Sequence, residues 1–255
     1  MVSTYDISVI VNAHNEGILA HQTMRSLLNA KELAEKHGIS VEVLVILDNP
    51  SPSTVCYFEE NKLFDFERHL VFFGDLGKAR MAGIGRAKGD WIANLDADDL
   101  WSSNWLVESF HYASRDVRNI IWHPEINQLF GLNPHQFLHV DMEDPDFDIY
   151  LLSAINYWTS LVFARRSLFH CVPYPETNLP MQLGFEDWSW NINSILHGAI
   201  HKIVPGTVHF IRQKSVSLVK KTADAQCLPN SLPLFRNILE HKQKYPRFTV
   251  QSKRD

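Results

Sequence analysis

The stretch LGKARMAGIGRAKGDWIANLDADD, residues 76–99, carries the signals that decide the fold. Its first half predicts a helix over residues 76–88, which Gly89 ends. Its second half predicts a buried strand over residues 90–95, and three aspartates follow this strand within four positions. Because carboxylates that end an apolar strand repel one another, we expect something positive to lie beside them.

The same alternation of strands and helices runs through the first hundred residues. An apolar period near 3.6 residues predicts a helix over residues 17–36. Turn chemistry precedes a second predicted helix, with Ser53 as its N-cap and its end near residue 61. The other predicted strands are 7–11, 41–47 and 69–73. We therefore expect an α/β fold with a Rossmann-like, mostly parallel central sheet flanked by helices.

Polar clusters follow three of the predicted strands. Residues 12–16 follow the first strand, residues 48–49 the second, and residues 96–99 the fourth. Ligands of open α/β sheets bind at the carboxyl ends of the strands. The three clusters are therefore expected to meet in one crevice.

Asp96 and Asp98 lie two positions apart at a strand exit. Side chains two apart in an extended segment point the same way, and Mg²⁺ or Mn²⁺ binds one or two carboxylates together with phosphate oxygens. The pair therefore predicts a divalent cation that acts as a Lewis acid for a departing diphosphate. The alternative is that Asp98 or Asp99 caps a helix that begins near Ser102 or Ser103.

Composition limits the class of protein and of partner. The chain has 255 residues, 45% of them hydrophobic, which is enough for one sizeable core. Its net charge of −5 gives no basic field, so nucleic acid is not expected as a partner. The three scattered cysteines predict reduced thiols and a cytoplasmic location. We expect no signal peptide and no membrane span, and peripheral attachment at the inner membrane face stays open.

The second half is less regular. It predicts a helix over 105–114, a hairpin over 120–132, a loop over 135–148, a strand over 157–164, a short helix over 165–169, a loop over 173–183, a helix over 186–197, a strand over 207–211 and a terminal helix over 230–245. We expect residues 1–215 to form one catalytic domain, with a nucleotide-binding half over 1–100 and an irregular acceptor half over 101–215. Residues 216–255 would then form a helical extension and tail.

Four motifs resemble those of the family 2 glycosyltransferases, in the expected order. They are SVIVNAHNE (8–16), ILDNPSPS (46–53), the opening stretch (76–99) and GFEDWSWNINSILHG (184–198). The resemblance implies a single domain of the GT-A type and inverting sugar transfer. In the first motif, asparagine and histidine replace the usual proline and tyrosine, and the second motif has one acid where the family normally has two.

The resemblance implies nucleotide contacts in the first hundred residues. His14 takes the position of a tyrosine that lies against the base, and Asp48 matches an acid that accepts a hydrogen bond from the base. Asp96 is expected near the ribose and the metal, and Asp98 on the metal. The full implied set is Asn12, Ala13, His14, Glu16, Asp48, Lys78, Arg80, Asp96, Ala97 and Asp98.

Some of these positions have structural alternatives. Asp48 could instead start an Asx turn before Asn49 and Pro50. Lys78 and Arg80 lie in a predicted helix, where a cation either approaches the base or phosphate or belongs to a solvated face. The residues alone leave both alternatives open.

The resemblance also implies the reacting groups. Asp187 is implied as the base that deprotonates the acceptor hydroxyl, with Glu186 as a supporting contact. The structural alternative is that acids in a first helical turn are favoured by the helix dipole. Trp188 is a candidate to line the acceptor site, His209 a candidate further metal ligand, and Arg212 a candidate diphosphate contact.

The leading hypothesis is an inverting, metal-assisted glycosyltransferase that uses Mn²⁺ or Mg²⁺. It would move a sugar from a UDP- or GDP-type donor to a glycan or lipid-linked hydroxyl acceptor, in cell-surface polysaccharide or glycolipid synthesis. The alternatives are a nucleotidyltransferase and a catalytically silent nucleotide- or sugar-binding module. The loop NAHNEG, residues 12–17, has no lysine or arginine for a triphosphate, which disfavours the first alternative.

Overall fold

The computed structural model describes residues 4–215 and 217–240. Its strands are β1 (Tyr5–Ala13), β2 (Val41–Asp48), β3 (Glu67–Val71), β4 (Gly89–Asp96), β5 (Leu100–Trp101), β6 (Ile120–Gly131), β7 (His135–Leu138), β8 (Phe163–Arg165) and β9 (Ile200–Gln213). Its α-helices are α1 (Ala20–Lys36), α2 (Pro52–Glu60), α3 (Leu76–Ile84), α4 (Trp105–Arg115), α5 (Arg166–Cys171), α6 (Glu186–Leu196), α7 (Leu218–Asp224) and α8 (Leu232–Glu240).

All of these strands join one sheet in the order β3-β2-β1-β4-β8-β6-β9-β5, and β7 pairs with β6. The strands β3, β2, β1 and β4 are parallel, as are β6 and β9. Between these two groups lies β8, which is antiparallel to both β4 and β6. The α/β prediction is confirmed, but the sheet is mixed, because short antiparallel strands enter it from the second half of the chain.

Helices cover both faces of the sheet, so apolar residues occupy most positions of β1, β2 and β4 on both sides. Alternate residues point to opposite faces of a strand: Val9 and Val11 pack with α1 and α4, whereas Ile10 packs with α3, α5 and α6. This burial on both sides explains why the central strands appear in the sequence as nearly continuous apolar runs. A third apolar cluster, which includes Trp158 and Ile192, lies between α6 and α8.

Two glycines of the opening stretch allow close packing rather than ending a helix. A Cβ at Gly83 would lie 2.5 Å from Cγ2 of Ile10, so α3 can approach the sheet closely only with glycine there. The predicted helix end at Gly89 is wrong, because α3 ends at Ile84 and Gly89 begins β4. A Cβ at Gly89 would meet the backbone nitrogen of Ser8 at 2.6 Å.

Several predicted element boundaries are wrong. Ser51, not Ser53, caps α2, because Pro52 fits the first helical position. The predicted hairpin over 120–132 is one long strand, and its turn to β7 comes only after Gly131, whose φ is +95°. The strand predicted over 157–164 is reduced to β8.

The C-terminal part differs from its prediction as well. The helix predicted over 230–245 is observed as α8, and residues 241–245 of that prediction lie outside the described residues. The helix α7 was not predicted. Within the ranges described, no helix is both long and apolar enough to cross a bilayer.

Candidate active site

The carboxyl ends of β1 and β4 lie side by side. Asn12 is the register partner of Asp96, and the backbone N–H of Ala97 donates to the carbonyl of Asn12 at 2.9 Å. Asn12 is buried, and its side-chain amide has no partner among the residues described. The two polar clusters that follow these strands therefore meet at one edge of the sheet.

Arg80 joins this edge to α6. Its guanidinium is 1% exposed; Nη1 donates to Oε1 of Glu186 at 2.9 Å and Nη2 lies 3.3 Å from both carboxylate oxygens of Asp96. Burial lowers the pKa of Arg80, but the charges of Asp96 and Glu186 outweigh it and hold that pKa above its ordinary value. Arg80 is therefore not a solvated surface residue, and it cross-links two acids of the predicted site.

A second cation compensates Asp98. Nζ of Lys214, at the end of β9, lies 2.7 Å from Oδ2 of Asp98 and 3.8 Å from Oε1 of Glu16. Burial raises the pKa of the Asp98 carboxyl, and the charge of Lys214 opposes that shift. The positive charge expected beside the aspartates thus comes, in this structure, from the chain's own Arg80 and Lys214.

Asp99 holds the β9 end in place rather than capping a helix. Its Oδ1 accepts from the backbone N–H of Arg212 at 2.7 Å, while Nε of Arg212 donates to the carbonyl of Asp98 at 3.3 Å. Burial, followed by the neighbouring aspartates, raises the pKa of Asp99 well above its ordinary value. The capping alternative for Asp98 and Asp99 is wrong, since α4 begins only at Trp105, behind an N-cap at Asn104.

Asp48 organises the loop that follows β3. Its carboxylate accepts backbone N–H groups from Phe73, Gly74 and Asp75 at 2.7, 3.1 and 3.2 Å. The Asp48 carboxylate therefore binds the loop after β3 and does not form the alternative Asx turn before Asn49 and Pro50. Asp48 also offers its carbonyl to Nδ1 of the exposed His14 at 2.7 Å.

Lys78 pairs with Glu176 rather than with the acids at the strand ends. Its ammonium lies 2.9 Å from Oε2 of Glu176, and both side chains are exposed. The hydrogen bonds and the Coulomb attraction of this pair raise the pKa of Lys78. The implied contact of Lys78 with the nucleotide stays a prediction.

The acids Glu186 and Asp187 open α6 from a strained corner. Phe185, the N-cap, has a φ of +54°, a left-handed conformation that is rare for a bulky residue and tends to cluster at functional sites. Glu186 is buried against Arg80, whereas Asp187 stays partly exposed. Burial and the adjacent Glu186 raise the pKa of Asp187 to about 7, although Arg80 opposes them.

The two tryptophans of this helix have different surroundings. Trp190 is fully buried and stacks on Phe169 and Tyr174, with ring centroids 5.0 and 4.9 Å apart. Trp188 is only partly buried, and its Nε1 donates to the carbonyl of Leu152 at 2.8 Å. Trp188 packs against the third apolar cluster and keeps part of its surface exposed, and its role toward an acceptor stays a prediction.

The sequence of the chain matches a known protein family. The model of the family described as "Glycosyl transferase family 2" matches residues 8–171, more than half of the chain. The chain belongs to glycosyl transferase family 2. It is therefore a glycosyltransferase. A search of curated proteins gave no match.

Solved structures of S. aureus TarS share the fold of this glycosyltransferase. The crystal structure of TarS 1–349 in complex with UDP-GlcNAc has a TM-score of 0.62 and 15% identity, over 84% of this chain and 60% of that one. The crystal structure of TarS 1–349 has a TM-score of 0.58 and 12% identity, over 96% of this chain and 76% of that one. The complex of TarS 1–349 with UDP has a TM-score of 0.59 and 14% identity, over 95% of this chain and 73% of that one. The chain thus spans 60–76% of these structures, which confirm the GT-A fold.

His209 is not grouped with the aspartates of this glycosyltransferase. It is fully buried, its ring stacks on Trp101 with centroids 6.2 Å apart, and neither ring nitrogen has a partner among the described residues. Burial lowers its pKa well below the ordinary value. Over residues 4–215 and 217–240, no three or more His, Cys, Asp or Glu side chains are grouped as a metal site. Asp96 and Asp98 still fit a hard cation that takes its other ligands from phosphate and water.

The family motifs do not include every residue that shapes the site. Tyr174 supports the Arg80 guanidinium, whose carbon lies 5.3 Å from the ring centroid. Asn156 donates to Oδ2 of Asp187 at 3.4 Å. Tyr174 lies in a stretch predicted as a loop, and no element is predicted for the stretch that contains Asn156, so no periodicity or spacing in the sequence connects them to the motifs.

Proposed function

We propose that this glycosyltransferase transfers a sugar, with inversion, from a nucleoside-diphosphate sugar to an acceptor hydroxyl. The observation that supports it best is the Arg80 bridge, which ties Asp96 on the nucleotide side to Glu186, next to the candidate base Asp187. The fold shared with TarS, which was crystallised with UDP-GlcNAc and with UDP, favours a uridine nucleotide. A GDP-type donor is the second choice.

Asp187 performs the proton transfer in this proposal. An inverting reaction needs one base, which takes the hydroxyl proton as the oxygen attacks the anomeric carbon. A pKa of about 7 leaves Asp187 partly ionised near neutral pH and makes it a stronger base than an ordinary carboxylate. Arg80 holds Glu186, so Glu186 fixes the start of α6 while Asp187 accepts the proton.

The departing diphosphate would lie at the edge shared by β1 and β4. Arg212 and Lys214 supply positive charge from the end of β9. A Mg²⁺ or Mn²⁺ ion held by Asp96 and Asp98 would add Lewis-acid stabilisation of the leaving group. The nucleotide contacts implied for His14 and Asp48 belong to this proposal.

The acceptor is proposed to be a hydroxyl of a glycan or of a lipid-linked glycan, bound on the side of Trp188. A role in cell-surface polysaccharide or glycolipid synthesis, at the cytoplasmic face of a membrane, completes this proposal. Residues 101–215, the proposed acceptor half, contribute α6 and therefore Asp187 to it.

A nucleotide-sugar screen tests the proposed function. We expect UDP-GlcNAc, or another UDP-sugar, to raise the melting temperature in the presence of Mn²⁺ and to be hydrolysed slowly to UDP. GDP-sugars and nucleoside triphosphates are measured beside it. Stabilisation and turnover by triphosphates alone would favour a nucleotidyltransferase, and binding of UDP-sugars with no turnover would favour a silent binding module.

A substitution at Lys214 tests the proposed metal position. Because its ammonium lies on Asp98, we expect Lys214→Gln to bind Mn²⁺ roughly tenfold more tightly in the absence of nucleotide, which corresponds to about 1.4 kcal/mol. Isothermal titration calorimetry measures the affinity. The control is Lys221→Gln, an exposed lysine of α7. Equal Mn²⁺ affinity in wild type and both variants would contradict a metal at Asp98.

A further inference from the structure

The chain from residue 152 to residue 158 passes beside the start of α6, and Asn156 lies at the point of contact. Its Nδ2 donates to Oδ2 of Asp187 at 3.4 Å. This distance is long for a hydrogen bond, but catalytic hydrogen bonds commonly tighten only when substrate binds. Both side chains are partly exposed, so this contact faces the accessible side of α6.

The orientation of the Asn156 amide is fixed by two hydrogen bonds to its oxygen. Its Oδ1 accepts from Nδ2 of Asn191 at 3.0 Å and from the backbone N–H of Trp158 at 3.4 Å. Asn191 is itself buried on α6, one turn after Asp187, and its Nδ2 also lies 3.3 Å from the carbonyl of Trp158. Two donors therefore hold the oxygen of Asn156, and the nitrogen is left to face Asp187.

We propose that Asn156 is a positioning residue for Asp187, held in its donating orientation by Asn191. The inference rests on the proposed function, in which Asp187 is the base. An amide N–H that faces the carboxylate stabilises its ionised form and restrains its direction. From the described part of the chain, it is the one side-chain hydrogen bond that Asp187 receives.

The other groups around Asp187 push its proton affinity in both directions. The charged or titratable neighbours are Glu186 on the same helix, Arg80 on α3 and Asp96 on β4, together with the buried Tyr174 hydroxyl. Burial and Glu186 raise the pKa of Asp187; Arg80 and the backbone N–H of Trp188 lower it. Asn156 adds a neutral donor, which favours the carboxylate without adding a charge.

The test compares Asn156→Ala with Asn156→Asp. Alanine removes the donor, so we expect the pKa of Asp187 to rise by about 0.5–1 unit. Aspartate keeps the shape but replaces the donor with a carboxylate, and we expect a larger rise. Carbon-detected NMR titration of the Asp187 carboxyl, in protein without bound nucleotide sugar, measures this pKa in both variants. An effect that came only from lost packing would follow the opposite order, since aspartate is nearly isosteric with asparagine.

Two further variants complete the design. Asn191→Ala should raise the pKa of Asp187 in the same direction as Asn156→Ala, because it frees the Asn156 amide to rotate. Asn193→Ala, on the same helix, is the control and should leave it unchanged, since its amide has no hydrogen-bond partner among the described residues. An unchanged Asp187 titration in both Asn156 variants would overturn the proposal.

The failure of this inference can be separated from the failure of the proposed function. Hydrolysis of UDP-GlcNAc by Asp187→Asn is measured in parallel with the titrations. If hydrolysis persists at the wild-type rate, the base assignment falls, and the positioning role falls with it. If hydrolysis is lost while the Asn156 variants leave the Asp187 titration unmoved, only the positioning role of Asn156 is overturned.

Discussion

Asp187→Asn is expected to lower sugar transfer by about 10²–10⁴-fold, which is the range that general acid–base catalysis supplies. Asparagine keeps the size of the side chain and its place at the start of α6, but it cannot accept the proton of the acceptor hydroxyl. The affinity for the donor should change little, because the implied nucleotide contacts lie at or after the ends of β1, β2 and β4 and on α3, and none lies on α6. Initial rates of UDP release, with UDP-GlcNAc as the first donor tried, measure the loss.

The pH dependence of the wild-type enzyme gives a second reading of the same residue. Only the ionised carboxylate can act as a base, and burial with Glu186 raises the pKa of Asp187 to about 7. The rate should therefore be level above about pH 8 and fall roughly tenfold for each unit well below pH 7. Glu143→Gln, which changes an exposed acid paired with Arg118 and Lys202, is the control for general charge effects. A rate that stays level down to pH 5 would contradict Asp187 as the base.

The first half of the fold could be predicted because local and tertiary signals agree there. β1, β2 and β4 are buried on both faces, so their apolar runs are long enough to identify, and α1, between β1 and β2, shows one apolar face. In the second half the local sequence pattern and the tertiary packing no longer agree. Tyr157, Trp158 and Leu161 are buried as irregular chain, and only Phe163–Arg165 pairs as a strand.

The site was predictable up to the strand ends and no further. The rule that parallel strands present their carboxyl ends at one edge correctly brings Asn12 beside Asp96. The partners of the acids depend on long-range packing, and no spacing in the sequence encodes the approach of Arg80 to Glu186 or of Lys214 to Asp98. The solvated-face alternative for Arg80 was wrong for the same reason, since its helix is covered by α5 and α6.

Arg80→Met is expected to have the largest effect on stability of any single substitution at this site. Removing one partner of a buried ion pair costs about 3–5 kcal/mol of unfolding free energy, because the charge left behind has lost its compensation. Here Glu186, 7% exposed, would remain buried without its cation, and Asp96 would lose the same partner. Urea unfolding followed by circular dichroism measures the change.

The helix that carries Arg80 also offers the control. Lys78 lies two positions earlier in α3, and its ion pair with Glu176 is exposed, so Lys78→Met should leave the urea midpoint almost unchanged. In the double variant Arg80→Met/Glu186→Gln, the uncompensated buried charge is absent, and the loss should be smaller than the sum of the two single losses. Additive losses, or equal losses for Arg80→Met and Lys78→Met, would contradict the bridge as the element that holds α6 to the sheet edge.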